Sequence, residues 1–365
     1  MSNATLDTSE KTIRVLSIDG GGIRGILPAC VLREIEARTG KDIASLFHLI
    51  AGTSTGGIIA CGLLHGVPAD KLRDLYVKDG GNIFSHSGWR TMETLWSLNG
   101  PKYSAENLDS TLKRILGDTW LSKTSGPELL VPSYCITLPE PIGLDGDRVQ
   151  STRMPFLFKS WKARGTLLDP GDVPAALDFK LLDIARATSA APTYFPPAKI
   201  KSRNGDVYWM ADGGVFANNP AMCALVSARR IFPGVKRCLV VSLGTGCLEH
   251  AMDGTEATKW GEIAWLHPIL SLLMDGNADT VCYQLDQLLR DDHRRFQISL
   301  GSNPNDEYAV QEDMDQATPD NIQRLLKLAG KLIEDEDANL NRLCNELKRP
   351  KSVIDIKKSK KVKPR

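Results

Sequence analysis

Leu46-Phe47-His48-Leu49-Ile50-Ala51-Gly52-Thr53-Ser54-Thr55-Gly56-Gly57 decides the fold. Residues 46 to 51 form a short apolar run of strand length, residues 52 to 57 a glycine-bracketed turn, and Ile58 to His65 read as a helix. The same unit occurs upstream. Thr12-Ile13-Arg14-Val15-Leu16-Ser17-Ile18-Asp19 alternates and is rich in β-branched residues. It runs into Gly20-Gly21-Gly22-Ile23-Arg24-Gly25, and residues 26 to 38 then place apolar side chains at helical spacing, with Pro28 in the first turn where proline is tolerated. Two successive strand-turn-helix units imply a parallel sheet covered by helices. The expected fold is a three-layer α/β/α domain with a mainly parallel central sheet.

Further strands are expected at 129 to 137, 207 to 211 and 238 to 243, and helices at 68 to 78, 105 to 116, 180 to 188 and 220 to 231. From about 262 the pattern is helical, and over 320 to 347 Ile322, Leu325, Ala329, Leu332, Leu340, Leu343 and Leu347 fall near one face, which should close the core from outside the sheet. Segments 80 to 104 and 139 to 176 are rich in Gly, Pro and polar residues and longer than ordinary loops, so they are candidate lids or rim elements. The chain thus divides into a polar leader (1–12), a main domain (13–300), a helical closure (301–347) and a basic tail (348–365), with no internal repeat.

With 365 residues, 42% of them apolar and 24% charged, the chain can bury a large core without disulfides. Its eight cysteines, at 30, 61, 135, 223, 238, 247, 282 and 344, are scattered singly, the usage of small buried hydrophobes in a reducing compartment. The leader lacks the apolar core of a signal peptide and no apolar run reaches membrane-span length, so a cytoplasmic location is expected. Net charge is +1, but residues 348 to 365 hold nine Lys or Arg against Asp355, leaving −7 for residues 1 to 347. Such a tail is either a solvated end or an attraction to anionic lipid head groups.

Gly52-Thr53-Ser54-Thr55-Gly56 has the G-x-S-x-G pattern between an apolar strand and a helix. A serine there is forced into unfavourable backbone angles, and its hydroxyl projects into open space as a nucleophile can. The helix N-terminus behind it, including the N–H of Thr55, can steady a developing oxyanion. Gly20-x-Gly22-x-x-Gly25 also fits a dinucleotide fingerprint, but that motif wants an acid at the end of the second strand, and here the second strand delivers Ser54. The bare glycine loop instead suits backbone donors, Gly21 and Gly22, aimed at an oxyanion, with Arg24 either orienting the loop or meeting a phosphate. A base is needed. The six histidines, at 48, 65, 86, 250, 267 and 293, sit in undistinguished settings. Asp212 ends the apolar run Tyr208-Trp209-Met210-Ala211 and opens the turn Gly213-Gly214, so it is the better candidate, although a turn aspartate capping its own loop reads alike. Nucleophile, base and oxyanion donors would all come from strand ends, where α/β sites lie.

These residues resemble the patatin-like phospholipase family, which shares a Ser–Asp dyad with the cytosolic phospholipase A2 catalytic domain. The family's D-G-G-G-x-R-G loop, G-T-S-T-G-G elbow and D-G-G aspartate are met in order by residues 19 to 25, 52 to 57 and 212 to 214, and Ser189 to Pro196 and Leu243 to Gly246 are similar to family segments. The resemblance spans about 13 to 300. It implies Ser54 as nucleophile, Asp212 as base, and Gly21, Gly22 and their neighbours as oxyanion hole with Arg24 nearby. It also implies hydrolysis of membrane phospholipid esters through an acyl-enzyme, with neither metal nor cofactor and no nucleic acid polymer as partner. His48 departs from relatives that carry an acid there. Length and the stretches around Asn82-Ile83-Phe84 and 265 to 296 are similar to bacterial effectors of anti-phage signalling. That narrower resemblance implies a cyclic oligonucleotide activator and action at the inner membrane, and it allows a homo-oligomer. The competing readings are a constitutive esterase or thioesterase on the same dyad, and a nucleotide sensor that keeps the glycine loop for phosphate.

Overall fold

The computed structural model describes residues 11–84, 100–137, 153–247, 254–301, 308–311, 313–352, 354 and 356. One sheet contains β1 (Thr12–Ile18), β2 (Leu49–Gly52), β3 (Glu128–Thr137), β4 (Met154–Lys159), β5 (Ala198–Lys201), β6 (Val207–Asp212), β7 (Arg237–Leu243) and β8 (His293–Phe296). Its order is β5-β6-β3-β2-β1-β7-β8, with β4 also paired to β3. Strands β3, β2, β1, β7 and β8 are mutually parallel, whereas β4 and β6 run antiparallel to β3, and β5 to β6.

Strand alternation sorts the side chains into two layers. Ile13 and Val15 of β1, Leu49 and Ala51 of β2, and Val240 of β7 pack with the helix Ala221–Ile231 and with Val281 and Leu285 of the long helix Glu262–Leu289. Leu16 and Ile18, Ile50, and Val241 and Leu243 face the larger core under helices Ile26–Thr39, Thr55–Leu64, Glu106–Leu116 and Leu181–Thr188. Helices Pro319–Asp335 and Asp337–Lys348 seal that side with Leu325, Leu328, Leu332, Leu340 and Leu347. The architecture is α/β/α.

The register explains how the site is assembled. Leu130 pairs with both Ala51 of β2 and Lys159 of β4, while Ser133 and Cys135 pair with both β4 and β6. Strand β4 therefore covers one edge of β3, and β2 and β6 share the other, meeting head to head at their C-terminal ends. Between them lie Val131 and Pro132. The Pro132 carbonyl accepts a hydrogen bond from Thr188 Oγ1 at 2.6 Å, and a proline leaves no backbone donor there to satisfy. Asp212 thus comes from an antiparallel strand running inward, not from a third parallel strand end as the sequence suggested. The reason is that β2 is only four residues long, which leaves the far half of the β3 edge open.

Other departures are local. Ile43–Leu46 is a short helix, so β2 starts at Leu49 and His48 precedes it. The 68 to 78 segment passes from the helix Ala69–Asp74 into a π turn at Leu75–Asp79. Strands β4, β5 and β8 are additional to those expected, and β4 comes from the segment read as rim. Residues 85–99 of the first candidate lid and 139–152 of the second lie outside the described residues. The root of the basic tail is docked at the sheet edge opposite Ser54. Lys351 Nζ donates to Phe47 O at 2.9 Å, Arg14 donates to the carbonyls of Glu346, Leu347 and Arg349, and His48 joins Arg14 N to Ser352 O. Ile354 and Ile356 pack on the core, and residues 357–365 are not described.

Candidate active site

Ser54 caps the helix Thr55–Leu64 with φ 53° and ψ −121°, a region that costs a side-chain-bearing residue on the order of 1–3 kcal/mol. The neighbourhood holds it there. Ser54 N donates to Thr188 Oγ1 at 2.9 Å, Thr53 Oγ1 donates to Ala217 O at 2.7 Å, and Gly52 and Gly56 are so close that a Cβ on Gly52 would lie 2.0 Å from Gly56 O. On the facing strand, Ser133 Oγ donates to Ala211 O at 2.7 Å and Asp212 N to Ala190 O at 2.9 Å.

Asp212 is 2% exposed. Its Oδ1 accepts from Gly214 N at 2.7 Å, and its Oδ2 has no hydrogen-bond partner among the described residues. Burial pushes the carboxyl up to about 7, against the opposing pull of the Ser54 hydroxyl and the Gly214 amide. A carboxylate so placed is a much stronger base than in water, and its neighbour is the Ser54 hydroxyl. Gly213 abuts Pro132, its added Cβ falling 2.3 Å from Pro132 O, so the turn after Asp212 fits only without a side chain.

In the glycine loop, Gly20 N donates to Asn218 O, Ile23 N to Met314 O and Arg24 N to Gly21 O. The N–H groups of Gly21, Gly22 and Thr55 have no partner among the described residues and stay available to an oxyanion. The Arg24 backbone is committed within its own turn, and the Arg24 side chain instead lines a polar cavity at the mouth. Gly25 packs on Thr55, whose Oγ1 donates to Tyr76 OH at 2.6 Å across the π turn.

An apolar cavity of about 590 Å³ of empty space reaches these groups. Ile58, Leu75, Ile83, Phe84, Leu108 and Phe195 line it, and Ser54 and Asp212 lie on its wall. Among the described residues no histidine lines it. His48 is at the far sheet edge, held neutral by burial to about 4, and His293 in β8 is paired to Asp286 Oδ1 at 2.6 Å. His86 and His250 lie outside the described residues. No group of three or more His, Cys, Asp or Glu among the described residues is placed to hold a metal ion.

Three site residues escaped sequence reading. Met314, beyond the main domain as expected from sequence, fixes the loop through Ile23 N at 2.8 Å, and Lys102 and Tyr103 anchor the adjacent Asp315. Arg295 on β8 donates to Asp19 Oδ2 at 2.7 Å and to Ser242 Oγ at 2.8 Å, holding the start of the loop. Asn218 brings a buried Oδ1, unpartnered among the described residues, against Gly20. A Cβ on Gly20 would lie 2.4 Å from that oxygen and 3.2 Å from Ser54 Cβ. Residue spacing gives none of these a signal. Only the N-N-P turn around Asn218 was visible, and it reads as an ordinary turn.

If Asp212 must be ionised to act, kcat/KM on a soluble ester should rise with pH through about 7 and fall about tenfold per unit below it. A pH–rate profile flat down to pH 5 would remove Asp212 as the base.

A family model for patatin-like phospholipases matches residues 16–225. Patatin-like protein 2 of Arabidopsis thaliana is 31% identical over 378 residues, covering 92% of this chain and 86% of that protein. Patatin group M-2 of Solanum tuberosum is 29% identical, covering 91% and 86%. Among solved structures, human GIVD cytosolic phospholipase A2 aligns at 10% identity and a TM-score of 0.44, over 93% of this chain and 61% of that one. VipD from Legionella pneumophila aligns at 12% identity and a TM-score of 0.31, over 88% and 67%.

Proposed function

The chain belongs to the patatin-like phospholipase family, and within that family we propose that it cleaves acyl esters of membrane phospholipids through a Ser54–Asp212 dyad and an acyl-enzyme. The observation that carries the reading is the head-to-head meeting of β2 and β6, which sets a strained serine and a buried aspartate, its pKa raised by burial, on the wall of one apolar cavity. In the first step Ser54 Oγ attacks the acyl carbonyl while Asp212 takes its proton, and the carbonyl oxygen gathers negative charge toward the N–H groups of Gly21, Gly22 and Thr55. Protonated Asp212 then gives the proton to the departing glycerol oxygen, leaving the acyl group on Ser54. Water repeats the sequence, with Asp212 as base, and releases the fatty acid. A carboxyl near 7 suits both the taking and the giving of a proton.

Access to a lipid surface has its own support. The long helix Glu262–Leu289 lines the cavities with Ser271, Met274 and Asp275 and leaves Ile269, Leu272 and Leu273 about half exposed on its other face. An exposed apolar ridge of this kind suits insertion between lipid head groups. Among the described residues no helix is long and apolar enough to cross a membrane. Replacing Leu272 and Leu273 together by Asp should lower fatty-acid release from phospholipid vesicles about tenfold or more and leave hydrolysis of a soluble short-chain ester near wild type. An equal fall on both substrates would remove the ridge as a lipid contact.

The proposal is tested by fatty-acid release from mixed phospholipid vesicles by wild type and Ser54→Ala. Ester hydrolysis confined to soluble substrates would favour the alternative, a constitutive esterase or thioesterase. Activation by a cyclic di- or trinucleotide, action at the inner membrane in antiviral defence, and a homo-oligomer rest on the sequence resemblance. Adding such nucleotides to the same assay tests the switch.

A further inference from the structure

The glycine loop is held from a distant part of the chain, by the turn that precedes the helix Pro319–Asp335. Met314 O accepts from Ile23 N at 2.8 Å, and it lies so near Gly22 that a Cβ there would come within 2.1 Å of it. The aim of the Gly21 and Gly22 N–H groups therefore depends on where the Met314 carbonyl stands. The next residue is Asp315, whose side chain is 1% exposed. Its Oδ2 accepts from Tyr103 OH at 2.7 Å and from Lys102 Nζ, while Gln316 N and Ala317 N close the turn on Asp313 O and Asp315 O. Burial and the Asp315 carboxylate push the Tyr103 hydroxyl up, so it stays a proton donor to that carboxylate.

The two donors are themselves fixed. Lys102 N donates to Thr193 O and Tyr103 N to Tyr194 O, both at 2.8 Å. Thr193 has φ 73°, a conformation that a β-branched residue rarely adopts, and these two bonds clamp the turn that contains it. The Tyr103 ring packs on Phe84 and on Phe195, with centroids 5.8 Å apart in each case, and both of those rings line the acyl cavity. A buried carboxylate joined to such a frame cannot move without stranding a charge. We propose that Asp315 is a positioning residue for the acyl transfer: through Tyr103 and Lys102 it holds the Met314 carbonyl, and through that carbonyl it keeps the Gly21 and Gly22 N–H groups aimed at the oxyanion. Asp315 lines neither the acyl cavity nor the polar one, so its loss should appear in turnover and not in substrate binding. The proposal rests on the Ser54–Asp212 reading above.

The test compares wild type, Asp315→Asn and Tyr103→Phe as full chains on a soluble short-chain ester, with active sites counted by a fluorophosphonate that labels Ser54 in folded molecules. A trifluoromethyl ketone of matching chain length probes the oxyanion position. Ser54 Oγ adds to its carbonyl carbon, the hydroxyl proton passes to Asp212, and the former carbonyl oxygen becomes the anion that the loop must hold. Asp315→Asn should lower kcat per labelled site about 10- to 100-fold and leave KM near wild type. The ketone's inhibition constant should rise by the same factor, since the ketone adduct resembles the transition state. Tyr103→Phe removes one donor and should lose about 3- to 10-fold on both readings, which carries the test if Asp315→Asn does not fold. A purely structural role would lower thermal stability and leave kcat per labelled site and ketone affinity at wild-type values, and that result overturns the proposal. A change confined to KM, or a fall in kcat with ketone affinity intact, overturns it as well. Hydrolysis or labelling that survives Ser54→Ala overturns the dyad reading, and this proposal with it.

Discussion

Asp212→Asn is expected to lower ester hydrolysis by about 10³- to 10⁴-fold while making the folded protein more stable at pH 8. The loss follows from removing the base, since asparagine can still accept from Gly214 N but cannot take the Ser54 proton. The gain follows from linkage. In the unfolded chain the carboxyl titrates near 3.8 and in the fold near 7, so the folded state binds the extra proton. Stability on this account is fully present below 3.8 and is lost as pH rises through 7, at a cost on the order of 4 kcal/mol once the buried group is ionised. Asparagine carries no such charge, but its amide meets an Oδ2 position without a partner among the described residues, which returns part of the gain. The net is about 1–3 kcal/mol above pH 7, shrinking toward pH 4. Thermal unfolding of both proteins across pH 4 to 8 measures it. A variant less stable than wild type at pH 8, or one that keeps full activity, would show that Asp212 is a structural turn residue.

Gly22→Ala should reduce activity by about 10²- to 10³-fold. Gly22 sits at φ +58°, and an added Cβ would lie 2.1 Å from Met314 O, the carbonyl that receives Ile23 N. Nothing flexible can yield there, so the loop must shift and its Gly21 and Gly22 N–H groups must leave the position where the oxyanion forms. Gly40 offers the control: its φ is +67° but no atom lies within 4 Å of the Cβ position. Gly40→Ala should lose roughly 1 kcal/mol of stability through backbone strain and keep its activity. If the two variants lose activity alike, the effect at Gly22 is general destabilisation, and the loop has no role as donor.

Much of the site could be read from residues alone because its parts are local. The elbow at Ser54, the loop at Gly20 to Gly25 and the turn at Gly213-Gly214 are tight chain reversals between a strand and a helix, and such turns admit few residue types. Their sequence therefore carries the geometry, and with it the candidacy of Ser54 as nucleophile and of Asp212 over the histidines as base. The ridge at Ile269, Leu272 and Leu273 was also present as helical periodicity, but its exposure was not, because periodicity does not say which face of a helix finds a partner.

By itself, then, the sequence determined the layered architecture and the parallel centre of the sheet, and it nominated the two side chains of the proposed dyad, all of which follow from short-range pattern. Tertiary structure decided the rest. The direction of β6 depends on how much of the β3 edge β2 leaves unpaired, a matter of lengths in distant segments. Asn218, Arg295 and Met314 reach the site through contacts across 198, 276 and 291 residues, to Gly20, Asp19 and Ile23 in turn, which no local spacing encodes. The raised pKa of the Asp212 carboxyl comes from the loss of water around it, a property of the packed surroundings and not of the residue or its neighbours in the chain.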